Sequence, residues 1–172
     1  MAGSIADIPP MVIGGSIISV VSLILHIVGF ATTYWFRDNN DSNTFNHFGL
    51  WKSCRVFGGN QKCDDIKDPF ARLKATEALE CLALAAFLSA VVCAILKMFV
   101  LKNQRMLFVV TGLLNLLAGG FALIGVIVFA TIKLHGHFHY SFGLCIVGGI
   151  GGVFSGIVFI LAWRWVKDYE GL

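Results

Sequence analysis

The sequence predicts an all-α membrane protein: a bundle of four transmembrane helices carrying one small folded loop. Three observations predict that class. The hydrophobic fraction is 57% and the charged fraction 13%, against roughly 45–50% and about 25% for a soluble domain. A single core in a chain of 172 residues cannot hide that much apolar surface from water. Four apolar runs approach or exceed the about 20 residues that a helix needs to cross about 30 Å of hydrocarbon. The same composition excludes disorder, a coiled coil and a small disulfide-rich secreted fold. A formal charge of +3 is too small to imply a nucleic acid or another polyanion as partner.

The first run, Met11 to Tyr34, is uncharged, and no lysine or arginine precedes it. It is therefore read as a retained first helix over about 11–36 and not as a cleavable leader. The second run, Cys81 to Leu96, continues to Leu101 if Lys97 snorkels its ammonium to the headgroups. Asp68-Pro69 upstream has N-cap and first-turn chemistry, which predicts a helix over about 69–101 whose first turns project beyond the bilayer. Met106 to Ile132 and Tyr140 to Trp163 are free of charge and predict helices over 106–132 and 140–163. In hydrocarbon the backbone must satisfy its own polar groups, so these runs are helices. Tyr34, Trp35 and Phe36 mark one interface, and Trp163, Trp165 and Tyr169 the other. Residues 1–172 form one four-span domain, with loops over about 37–68 and 133–139 on one side.

An even number of spans puts both termini on the same side. Lysine and arginine counts do not orient the chain, because the large 37–68 loop holds cations and aspartates together. Two chemical signals do. Asn40-Asp41-Ser42 is a glycosylation acceptor, used only on the lumenal side. Paired cysteines at 54 and 63 need an oxidising compartment. The first loop is placed outside and both termini in the cytosol.

That loop predicts a hairpin. Cys54 and Cys63 flank Phe57-Gly58-Gly59-Asn60, and Gly-Gly is a favoured two-residue turn because both positions take positive φ freely. Pairing 57 with 60, 56 with 61 and 55 with 62 sets Cys54 across from Cys63, about 4.5–5.5 Å away and within disulfide reach. Phe48, Leu50, Cys54 and Val56 share one strand face, and Trp51 lies on the other.

Trp35, Gly49-Leu50-Trp51, then Cys54 after two residues and Cys63 after eight more, in a four-span chain, resembles the claudin, peripheral myelin protein and epithelial membrane protein superfamily. Ala75 to Leu79 and Tyr140 to Leu144 are closer to the epithelial membrane protein branch. The resemblance implies a left-handed four-helix bundle capped by a small extracellular antiparallel β-sheet. It implies structural roles for Trp35, Gly49, Leu50, Trp51, Cys54 and Cys63, with Arg72 at the family arginine and Asn40 at the glycan site. It also implies a plasma-membrane protein at cell–cell contacts. The chain ends Tyr-Glu-Gly-Leu without the Tyr-Val of many claudins, which leaves Glu170, Gly171 and Leu172 as a candidate PDZ ligand of low specificity.

Inside the membrane, Ala86, Ala90 and Ala94 on the second helix and Gly148, Gly152 and Gly156 on the fourth form small-residue stripes. Such stripes let helix backbones approach, within one bundle or between copies. His26 and Asn115 are the deepest polar residues, and a neutral histidine bonded across helices is the expected state. Glu77 and Glu80 are placed near the outer interface, facing water or Lys74 and Arg72. His135, His137 and His139 alternate and are candidate ligands for zinc or copper. Cys81, Cys93 and Cys145 read as apolar fillers, with Cys93 a candidate for palmitoylation.

No catalytic constellation, phosphate loop or cofactor motif is present. The expectation is a non-enzymatic claudin-like protein acting in cell contact, junction or membrane organisation through its extracellular sheet. It would self-associate or bind another membrane protein. The alternatives are a paracellular barrier or pore, and an auxiliary subunit of an ion channel or receptor.

Overall fold

A computed structural model describes residues 10–41, 44–67, 69–101, 104–132 and 136–170. Four helices, α1 (Pro10–Ala31), α2 (Ala71–Phe99), α3 (Met106–Ala130) and α4 (Tyr140–Glu170), accompany five strands: β1 (Phe36–Asp41), β2 (Thr44–Phe48), β3 (Lys52–Phe57), β4 (Asn60–Asp65) and β5 (His137–Phe138). All four helices are long and apolar enough to cross a membrane. The strands form one sheet in the order β4-β3-β2-β1-β5, antiparallel throughout.

The helices pack by a heptad rule. Buried positions on α2 are Leu73, Thr76, Glu80, Ala83, Phe87, Ala90, Ala94 and Lys97, alternating steps of three and four. Phe108, Thr111, Asn115, Ala118, Ala122, Gly125 and Phe129 continue the same spacing on α3. That is the spacing of a narrow seam between nearly parallel helices. α1 packs on α4, α4 on α3 and α3 on α2, while the α1–α2 seam is thinner. Ala90 and Ala94 lie in the α2 stripe, but Ala86 is only partly buried at its flank. Helical period, not a strict four-residue step, decides which small residues face inward.

Three expected boundaries move. α1 stops at Ala31 and not near residue 36, because Tyr34 and Trp35 spend their backbone groups on the sheet and α4. The Trp35 N–H donates to the Phe48 carbonyl, the His139 N–H to the Trp35 carbonyl, and the Ser141 N–H to the Tyr34 carbonyl. α2 begins at Ala71 behind Phe70, whose side chain makes no cap; Asp68, the expected cap, lies outside the described residues. α4 runs on to Glu170.

The β3–β4 hairpin turns at Gly58 (φ 55°) and Gly59 (φ 84°), a left-handed pair that glycine adopts without steric cost. Its register sets Arg55 against Lys62 and Cys54 against Cys63, and those cysteines form a disulfide. Between sheet and bundle lies a core of Trp35, Phe36, Leu50, Leu73, Val126, Phe129 and Cys145.

Candidate functional site

The signature residues seat the sheet on α1. A helix leaves its last carbonyls without intrahelical donors, and here two indoles supply them. Trp35 Nε1 donates to the Gly29 carbonyl at 2.8 Å and Trp51 Nε1 to the Phe30 carbonyl at 3.1 Å. Trp35 is wholly buried, edge-on to Phe129 at 4.9 Å. Trp51 stays 39% exposed, edge-on to Phe30. Leu50 is buried in the same core as Trp35. Gly49 passes so close to α1's exit that a Cβ would lie 2.6 Å from the Thr32 carbonyl oxygen and 2.7 Å from Thr33 Cα. Arg72 reaches the Thr131 carbonyl, which closes α3. A cation there complements the helix dipole.

One face of the sheet changes character along its strands. Near the bundle it is aromatic: Phe36 lies between Phe48 and Phe138 in the ladder, with Phe129 beneath. Phe48 packs against this core. Farther out the same face opens into a groove lined by Asn46, Ser53, Arg55, Phe57, Asn60, Lys62 and Asp64. Arg55 and Lys62 stand directly opposite each other, an arrangement that destabilises a bare sheet. Arg55 Nε donates to Asn46 Oδ1 at 3.2 Å, which fixes the guanidinium without neutralising it. Phe57, at the groove's outer rim, is 70% exposed. Lys52 and Asp65 pair at 3.8 Å on the opposite face, a solvated contact worth little.

The opposite face holds a histidine that sequence reading passed over. His47 is fully buried, stacked on Tyr34 at 4.2 Å and 6°, with Gln61 Nε2 at 3.4 Å from its Nε2. Burial first, then the charges of Arg37 and His139, holds its imidazole below the ordinary value. Of the three alternating histidines, His135 lies outside the described residues. His137 is exposed in β5, and His139 packs its ring on Tyr34 and Tyr140 at 5.3 and 5.1 Å. Among the described residues these two join no three-ligand group.

Within the bundle the glycines of α4 meet neighbouring helices of the same chain. A Cβ on Gly148 would approach Ser22 and His26 of α1, one on Gly152 the Phe87 ring of α2, and one on Gly156 the Gly112 carbonyl of α3. Asn115 accepts from Ser19 Oγ at 2.8 Å and donates to the Thr111 carbonyl. Lys97 does not reach outward: it is nearly buried, with Nζ 4.4 Å from the Phe108 ring centre. The largest departure is Glu80. Expected near water, it is fully buried beside His26. α2's first turns support the sheet, so residue 80 falls below Trp35, within the bundle. Cys93 is partly exposed and Cys81 exposed.

The Asn40 backbone lies in β1, while its side chain and Ser42 lie outside the described residues, as do Gly171, Leu172 and the Glu170 side chain. The family model described as lipoma HMGIC fusion partner-like protein matches residues 15–132. No curated protein matches the chain. This match corrects the resemblance drawn from the tryptophan and cysteine pattern: it is not to claudins, peripheral myelin proteins or epithelial membrane proteins. The pattern misled because two indoles capping α1 and a cystine hairpin are a way of seating a sheet on a four-helix bundle. A seating device carries no information about branch or activity.

Proposed function

The chain belongs to the lipoma HMGIC fusion partner-like family of four-span membrane proteins, and from that premise we propose that it is a non-enzymatic cell-surface protein whose extracellular sheet binds the ectodomain of another membrane protein. The observation that carries this reading is the facing pair Arg55 and Lys62 beside the exposed Phe57. Two cations held opposite each other cost stability in the free sheet, and a partner surface bearing carboxylates converts that cost into binding. Phe57 supplies the apolar contact that a polar rim alone lacks. The partner is therefore acidic, with an apolar recess that receives Phe57.

The orientation rests on chemistry already described. A disulfide at 54 and 63 belongs in an oxidising lumen, and the acceptor at Asn40 belongs on the same side. Both termini then lie in the cytosol. The three-and-four spacing of the buried stripes supports a left-handed bundle. The barrier or pore reading drew its support from claudins and falls with that resemblance.

The test places a photoreactive amino acid at position 57 of the full-length chain in cells that express it. The expected result is a discrete adduct with another membrane protein, lost in an Arg55→Glu, Lys62→Glu double variant that still reaches the surface. An adduct with a second copy of the chain alone, or none, overturns the reading.

A further inference from the structure

We propose that His26, Glu80 and Cys145 form a metal site, built for zinc, in the layer of the bundle directly beneath the sheet. The three side chains come from α1, α2 and α4, and each is fully buried. Their ligand atoms all lie within 4.8 Å of one another, and among the described residues they are the one such convergence. His26 Nδ1 is 3.6 Å from Glu80 Oε2. That is close to the roughly 3.3–3.8 Å edge of a tetrahedron whose bonds are about 2.0–2.3 Å long.

Three features separate this cluster from ordinary polar packing. First, His26 Nδ1 and both Glu80 carboxylate oxygens have no hydrogen-bond partner. Buried lone pairs left unmatched in this way are costly and uncommon. Second, His26 already spends its other nitrogen: Nε2–H donates to the Glu80 carbonyl at 3.2 Å. That fixes the tautomer and turns the Nδ1 lone pair toward the carboxylate, which is how metal-binding histidines are usually oriented. Third, the backbone makes room for the ligands. A Cβ on Gly125 of α3 would lie 2.6 Å from Glu80 Oε1, and one on Gly29 of α1 would lie 2.5 Å from Cys145 Sγ. All four helices thus contribute, two or three turns at most from the sheet.

The donor set selects the metal. Imidazole, carboxylate and thiolate together suit zinc. Calcium and magnesium want oxygen alone, and monovalent copper has little use for a carboxylate. Binding displaces the Cys145 thiol proton. A dipositive ion with one thiolate, one carboxylate and one neutral imidazole is then electroneutral, the only charge state that an apolar bundle tolerates cheaply. Three protein ligands leave a fourth position open. The ion would bridge α1 to α2, whose seam is thinner than those of α1–α4, α3–α4 and α2–α3, as a structural staple under the sheet.

The test uses the full chain, purified in mild detergent after expression with zinc and exhaustive dialysis. The expected content is about one zinc per chain by elemental analysis. Cobalt exchanged into the wild-type protein should give the visible bands of a tetrahedral centre and a near-ultraviolet thiolate-to-cobalt band. Cys145→Ala should lose that band, whereas a His135→Ala, His137→Ala, His139→Ala variant keeps it, since the loop holds no thiol. The cobalt spectrum of the wild type needs no variant to fold. Monodisperse protein that takes up no zinc, or takes up metal without a thiolate band, overturns the site. The partner-binding surface is untouched by either result.

Discussion

At the residue scale, the side chains that matter most here repair defects the fold creates. Trp35 and Trp51 satisfy carbonyls that α1 would otherwise leave bare, and Gly49 exists because the sheet's turn crosses α1's exit at van der Waals distance. His47 is different: it fills a polar niche under Tyr34 at the cost of staying neutral. Its folded value lies below the unfolded value of about 6.5. The unfolded chain therefore binds more protons once pH falls through about 6.5, and stability declines from there as the medium is acidified. Above that range the His47 contribution is flat. Thermal melts of the purified protein across mildly acidic pH should show this decline, and His47→Gln should make it shallower while the neutral-pH plateau shifts separately. An unchanged slope would place the acid sensitivity elsewhere.

At the element scale, the spans were legible because hydrocarbon enforces a simple rule: long uncharged runs must be helices. The hairpin was legible because Gly58-Gly59 admits one tight turn and two cysteines fix its register. β5 was not, since two residues, His137 and Phe138, have no period to read. The Glu80 position was missed for a related reason. Counting about 20 residues back from Val100 places it at an interface, whereas the height of α2 is set by what rests on it, which is tertiary information. Which glycines matter was also hidden, because a small-residue stripe does not show what lies opposite. Gly156 faces the Gly112 carbonyl, where a Cβ would sit 2.7 Å away, while Gly143 in the same helix has nothing within 4 Å. Gly156→Ala should destabilise the bundle by about 1–3 kcal/mol through forced separation of α3 and α4. Gly143→Ala should be neutral or stabilising by up to about 1 kcal/mol. Detergent-solution unfolding of the two variants side by side measures the difference, and equal effects would show that the α3–α4 contact yields freely.

At the scale of the whole molecule, two cohesive systems meet at one layer. The bundle is held by interlocked small residues and buried polar contacts such as Ser19 to Asn115 and Ser155 to the Gly15 carbonyl. The sheet is held to it by Trp35, Leu50 and a stack of phenylalanines. The β3–β4 hairpin extends beyond both, and every residue of β4 is exposed. Its cohesion is a ladder of hydrogen bonds and one disulfide, with little burial to help. Closing so short a loop stabilises by about 2–3 kcal/mol on the chain-entropy model. Almost all of that acts locally, because the hairpin's unfolding does not require the bundle's. A Cys54→Ser, Cys63→Ser variant should therefore speed amide exchange in β3 and β4 while α1 to α4 keep their protection. If the hairpin presents Arg55, Lys62 and Phe57 to a partner, the same variant loses capture of that partner without losing its four spans. Exchange that rises across the helices as well would mean that sheet and bundle unfold as one unit, with the disulfide stabilising both.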